Sequence, residues 1–169
     1  MLKAILLNKV IILIYIFFSN LLYLFDLYKL AIRKKVLFGD SVEKLAISNT
    51  TSFKYPENII LGNNVKIGPN TSIGALSKII IEDNVRISQG VIIETAYLDL
   101  KSSIPYKHLS KEIWIKEGAW LASNVIILGG VTIGKNSVVS AGTIVKEDVP
   151  DNVIYSLESK NKIVKIIKR

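Results

Sequence analysis

Two patterns of apolar residues divide the chain. Residues 10–25, VIILIYIFFSNLLYLF, run sixteen positions without a charge. Further on, aliphatic residues return at every sixth place. They stand at Leu61, Ile67 and Ile73, then Ile81, Ile87 and Ile93, then Ile115, Leu121, Ile127, Ile133, Val139 and Val145. Four residues after each of these twelve anchors comes a second recurring position, which is Val, Thr or Ser in ten cases and otherwise Tyr97 or Ala119. Asn-bearing pairs punctuate the repeats at Asn63-Asn64, Pro69-Asn70, Asp83-Asn84, Ser123-Asn124 and Lys135-Asn136.

A six-residue period predicts a coil with flat sides. Each anchor points inward, and a residue tolerant of tight backbone geometry turns the corner. Three sides make an 18-residue coil that stacks on the last and buries a column of aliphatic side chains. Residues 61–78, 81–98, 115–132 and 133–150 supply four coils, and a weaker earlier one passes through Ile47, Phe53 and Ile59. The expected fold is all-β, a parallel β-helix of about five coils. Two-residue slips fall at 59–61 and 79–81, and residues 98–112 form an excursion loop. A β-sandwich of short strands would alternate with period two and would not hold a six-residue phase from 115 to 150. Periodicity leaves the handedness open. The expected organisation is a hydrophobic helical segment over 1–38, the β-helix over 39–152 and a basic tail over 153–169.

The apolar run at 10–25 is just shorter than the roughly 20 residues that span a bilayer, and Ser19 and Asn20 interrupt it. Lys3 and Lys9 precede it, and Lys29, Arg33, Lys34 and Lys35 follow. No small-residue cleavage site follows the run, unlike a signal peptide. Two readings stand. One is a helix or helical hairpin packed on protein. The other is peripheral membrane contact through residues 1–35, with the basic flank on anionic headgroups. A true span is the less favoured expectation.

Composition narrows the chemistry. The 169 residues include no cysteine, which excludes disulfides, thiolate metal sites and a cysteine nucleophile. The single histidine, His108, excludes a multi-histidine metal site, and no metal is expected. The net charge of +8 suits anionic partners, among them phosphate-bearing cofactors. Nucleic acid is set aside, because no helix-turn-helix, zinc finger or aromatic strand platform is present.

The stretch GAWLASNVIILGGVTIGKNSVVSAGTIVKEDVPDN, residues 118–152, resembles the hexapeptide-repeat acyltransferases, and most closely the bacterial sugar O-acetyltransferases. The resemblance implies a left-handed parallel β-helix, a homotrimer and acetyl-CoA as co-substrate, bound between neighbouring subunits. It also implies a cytoplasmic enzyme, at the inner face of the membrane if the N-terminus makes lipid contact. The acceptor would be a hydroxyl of a sugar or lipid-linked saccharide in surface-polysaccharide biosynthesis. Trp120 would face the groove. Ala122, Ala141 and Gly142 would let coenzyme A approach the backbone, and Lys146, Lys160 and Lys162 would meet its phosphates. In the family, a histidine in a T-A-x-H-like stretch is the general base. Here that stretch is Thr95-Ala96-Tyr97-Leu98, so the histidine position holds leucine. Three readings follow: His108 from the excursion is the base, a carboxylate such as Asp99 is, or the chain is a catalytically silent scaffold or partner subunit. A second departure is at the end of the repeat, where Leu157-Glu158-Ser159-Lys160-Asn161 replaces the family's G-x-P-A-K.

Overall fold

The computed structural model describes residues 2–38, 44–158 and 161–166. It separates the chain into two compact units, Met1–Val36 and Leu37–Arg169. The first is built from α1 (Leu2–Phe38), one unbroken helix of 37 residues. No glycine or proline occurs before Gly39, so nothing in the backbone chemistry stops the helix earlier. Ser19 and Asn20 sit inside it without breaking it, so the expected alternative of a helical hairpin is corrected to a single rod. From Ile11 to Tyr28 its large apolar side chains are exposed on every side.

The second unit is a stack of parallel coils. The first turn carries β1 (Ala46–Ile47), β2 (Ser52–Lys54) and β3 (Ile59–Leu61). The second carries β4 (Lys66–Ile67), β5 (Ser72–Gly74) and β6 (Ile79–Ile81). The third begins with β7 (Arg86–Ile87) and β8 (Ile92–Glu94). The chain then leaves as a hairpin of β9 (Ala96–Asp99) and β10 (Lys107–Ser110), and returns to close the turn with β11 (Ile113–Ile115). The fourth has β12 (Trp120–Leu121), β13 (Ile126–Leu128) and β14 (Thr132–Ile133). The fifth has β15 (Val138–Val139) and β16 (Ile144–Val145), with Val149 bridging to Ile133. A sixth turn opens with β17 (Val153–Glu158), which folds back as β18 (Asn161–Ile166). There are thus about six turns rather than five coils. β17 and β18 form an antiparallel pair continuing the sheet, within the segment expected as a basic tail.

Corresponding strands form three flat faces: β1-β4-β7-β12-β15-β17-β18 (face 1), β2-β5-β8-β13-β16 (face 2) and β3-β6-β11-β14 (face 3). The anchors point inward as columns, with Ile47, Ile67, Ile87, Leu121, Val139 and Tyr155 on face 1 and Ile73, Ile93, Ile127 and Val145 on face 2. The slips at 59–61 and 79–81 have a physical cause. On face 3, β6 and β11 each place two residues inward (Ile79 and Ile81, Ile113 and Ile115), which makes that side two residues longer, whereas β14 places only Ile133 inward. The step between early turns is accordingly 20 residues (Lys66 pairs with Arg86), against 18 between the fourth and fifth (Trp120 pairs with Val138).

The polar positions of the repeat make the corners. Asn64, Asn70, Asn84, Asn124, Asn136 and Asn152 all have positive φ, the left-handed conformation that asparagine tolerates. Asn64 donates through Nδ2 to Asn84 Oδ1 at 2.9 Å, tying one coil to the next. Buried Thr95 donates its hydroxyl to the Gly74 carbonyl at 3.0 Å, and Thr71 donates to that of Ser88 at 3.1 Å. Among the described residues, no buried side-chain oxygen or nitrogen lacks a partner, as a close-packed coil requires. Tyr155, 1% exposed, closes the core at the last turn and donates its hydroxyl to Glu147 Oε1 at 3.3 Å.

Candidate functional site

The expected site residues fall on two different edges of the coil. Trp120 points outward from face 1, 44% exposed, and its indole N–H donates to Ser88 Oγ at 3.0 Å. Ser88, Ala122, Ala141 and Gly142 all lie between a face-1 strand and a face-2 strand, so with Trp120 they define the edge from face 1 to face 2. That edge is open. Gly142 has φ +71°, and an added Cβ there would meet nothing within 4 Å. The backbone N–H groups of Ala122 and Gly142 are already used, donating to Val139 O at 3.0 Å and Ser123 O at 2.9 Å. At these two positions a ligand meets small side-chain surface rather than free amide donors.

The excursion leaves from the other edge of face 2. Thr95 and Lys111 bracket it, with Lys111 N donating to Thr95 O at 3.1 Å. Residues 98–112, expected as a loop, are largely an ordered antiparallel hairpin. Its register is Lys107 with Asp99, His108 with Leu98, Leu109 with Tyr97, and Ser110 with Ala96. Residues directly opposite one another present side chains on the same sheet face, with Cβ atoms about 5 Å apart. His108 therefore shares a face with Leu98, the position where the family resemblance calls for histidine. Both are exposed. Asp99, one residue on, lies on the reverse face with Tyr97. Its carboxylate accepts the Lys101 N–H at 3.0 Å and so helps shape the turn. At the foot of the hairpin, Ser110 Oγ and Ser77 Oγ are 2.6 Å apart, which pins the His108 side of the hairpin to the coil.

Lys146 follows β16 and lies exposed on the same edge as the excursion, from face 2 to face 3. Lys160 lies outside the described residues. Lys162 is in β18, on the continuation of face 1, and its side chain lies outside them. Within one chain, then, Trp120, Ala122, Ala141 and Gly142 belong to one edge and His108 and Lys146 to another. Between them face 2 presents Ile92, Ile126 and Ile144 outward in register, with Ile92 42% and Ile144 39% exposed.

Sequence reasoning missed two neighbours of Trp120. The ladder sets Arg86 directly beside it and Lys66 beside Arg86, so two exposed cations continue its column toward the first turn. Their spacing shows only after the excursion is subtracted from the repeat. Trp114, on face 3, donates its indole N–H to Glu82 Oε1 at 2.8 Å, and Glu82 Oε2 accepts the Glu117 N–H at 2.8 Å. The groove of about 360 Å³ near these residues is lined by Ile60, Ile80, Glu82, Asp83 and Glu117. Its three carboxylates make it an acidic groove, and one of them, Glu117, is paired with Lys135. Lys135, 2.7 Å from Glu117, has its pKa raised by hydrogen bonding to that carboxylate and by its charge. Among the described residues no group of His, Asp and Glu is arranged to hold a metal.

The family model for the bacterial transferase hexapeptide (six repeats) matches residues 112–147. The "Putative acetyltransferase YJL218W" of Saccharomyces cerevisiae is 32% identical over 79% of this chain and 69% of its own length. The galactoside O-acetyltransferase of Escherichia coli K12 is 33% identical over 71% of this chain and 60% of its own. Among solved structures, a hexapeptide-repeat acetyltransferase of Vibrio cholerae complexed with acetyl coenzyme A superposes with a TM-score of 0.73 at 27% identity, over 80% of this chain and 75% of that one. The chain belongs to the hexapeptide-repeat acetyltransferase family. It spans 48% and 60% of the length of the two galactoside enzymes it matches.

Proposed function

We propose that the protein is an acetyl-CoA-dependent O-acetyltransferase acting on a sugar hydroxyl of a surface polysaccharide or its lipid-linked precursor, with His108 as general base. The observation that carries this reading is the pairing of His108 with Leu98. The imidazole missing from one strand is supplied from the strand opposite, on the same hairpin face. Similarity to galactoside O-acetyltransferases and to a protein named for colanic acid biosynthesis, 32% identical over 70% of this chain, supports the sugar acceptor.

Acetyl-CoA supplies the activated acyl group. His108 accepts the proton of the acceptor hydroxyl as its oxygen attacks the thioester carbonyl, and returns that proton to the departing thiolate as the C–S bond breaks. The edge formed by Trp120, Ala122, Ala141 and Gly142 takes the pantetheine arm, and the positive charges of Lys146 and Lys162 attract the phosphates. Because His108 and Trp120 stand on different edges of one coil, the working site forms between copies. One copy contributes its Trp120 edge and the next its hairpin, in a cyclic homotrimer that buries the isoleucine ladder of face 2. The reaction belongs on the cytoplasmic side of the membrane.

The test is thiol release from acetyl-CoA with a panel of sugar acceptors. His108→Ala is expected to lower kcat about 10²- to 10⁴-fold, and Asp99→Asn to leave it within a few-fold. Leu98→His in the His108→Ala background, which moves the imidazole across the ladder, is expected to restore a measurable part of the loss. Acetyl-CoA binding without turnover in any of these proteins would favour the silent-scaffold reading, which the apolar Leu98 supports.

A further inference from the structure

The helix α1 poses a problem of solvation. Ile11, Leu13, Phe17, Leu21, Leu22 and Phe25 are each more than half exposed, and residues 10–25 contain only Ser19 and Asn20 as strongly polar side chains. Those two are adjacent, about 100° apart on the helix, so no polar stripe runs along it. A helix lying in a membrane surface needs such a stripe, with apolar residues on one side and charges on the other. A helix packed into a trimeric bundle buries one seam and leaves the rest in water. A helix apolar all round is satisfied by an apolar medium all round.

We propose that α1 spans the bilayer once, with its N-terminus outside and the β-helix on the cytoplasmic side. The dimensions agree. Residues 4–25, which include Asn8 and Lys9 near the outer end, make a rod of about 33 Å against a hydrocarbon core of about 30 Å. Lys9 is close enough to the outer end to extend its ammonium to the headgroups. At the inner end the residues change in the order an interface requires. Tyr23, Phe25 and Tyr28 form an aromatic belt, and Asp26 and Lys29 neutralise each other at 3.1 Å. The ammonium of Lys29 also lies 4.5 Å from the Phe25 ring. Arg33, Lys34 and Lys35 come next. Four basic residues thus lie within ten positions C-terminal to the apolar run, against Lys3 and Lys9 before it, and the more basic flank stays in the cytoplasm. This inference stands on α1 alone and does not depend on the acetyltransferase reading.

The chain has no cysteine, so single-cysteine variants report topology without background. The full-length protein is expressed in a Gram-negative host, and its membranes are washed with 1 M salt and then with carbonate at pH 11. A spanning chain stays in the pellet through both washes. Release by salt or carbonate overturns the proposal in favour of surface attachment. In spheroplasts, a membrane-impermeant maleimide is expected to label Leu2→Cys before lysis and Lys54→Cys only after it. Labelling of both only after lysis, or of both before it, overturns the single span or its orientation. Mass spectrometry of the purified chain is expected to show the N-terminal segment retained, and its removal in cells would identify a cleaved leader and sink the idea. Thiol-release activity is read separately, so a failure of either reading is recognisable on its own.

Discussion

His108 and Leu98 show how one ladder register decides a residue's meaning. They are ten positions apart in sequence and directly opposite in the hairpin. Neither spacing nor composition could pair them, because the length of an irregular excursion does not fix its register. Asp99, equally plausible from sequence, is on the reverse face and engaged with the Lys101 N–H. If His108 is the base, kcat rather than KM should fall in His108→Ala and partly recover in the double variant carrying Leu98→His. An unchanged kcat in His108→Ala would remove the residue from the reaction. Gly90 makes a different residue-scale point. Its φ is +69°, and a Cβ would run into Asn124 Oδ1. Gly90→Ala is expected to destabilise the coil by about 2 kcal/mol through left-handed strain and that clash, read as a lower denaturation midpoint. Lys135 provides a pH-linked case. Its pKa is raised above 10.5, chiefly by the hydrogen bond to Glu117. The stability that this pair contributes is therefore complete below the ordinary lysine value and lost as pH rises through the raised one, so Lys135→Met should flatten the alkaline limb of the stability profile.

At the scale of elements, alternation within two- and three-residue strands separates stability from assembly. Ile93 is fully buried in β8, whereas Ile92 next to it points outward and is 42% exposed. Ile93→Ala is expected to cost about 3 kcal/mol, within the range for deleting a buried isoleucine. Ile92→Ser should leave the monomer's unfolding free energy nearly unchanged, and chemical denaturation at low concentration compares the two. The strands and their inward residues were legible because each coil repeats the same requirement: an aliphatic anchor on each side and an αL-tolerant residue at most corners. The slips were legible as breaks in phase, and their cause, a second inward residue on the longer face-3 strands such as β6, became clear from the pairing. The C-terminal hairpin was not legible. Alternating lysine and isoleucine in a short segment is compatible with a solvated tail until the open ladder of β15 offers β17 a partner.

The whole molecule pairs a solenoid stabilised by nearest-neighbour coils with a helix apolar on every side. Its two candidate half-sites lie on opposite edges of face 2, so the proposed mechanism requires assembly. Ile144→Glu places a charge on the exposed isoleucine ladder and is expected to yield a folded monomer without thiol-release activity. Sedimentation and circular dichroism would check this, and an active monomer would refute the shared site. The period of six, the Asn corners and the stretch at 118–152 are local or periodic signals, and they were enough to establish the β-helix and its family, since every coil restates them. Which face each outward residue occupies, which edge the excursion leaves from and which strand His108 opposes all depend on summing turn lengths of 16 to 34 residues and on a hairpin register. An error of one residue in that sum inverts a side chain from core to solvent, and only the folded chain carries it out.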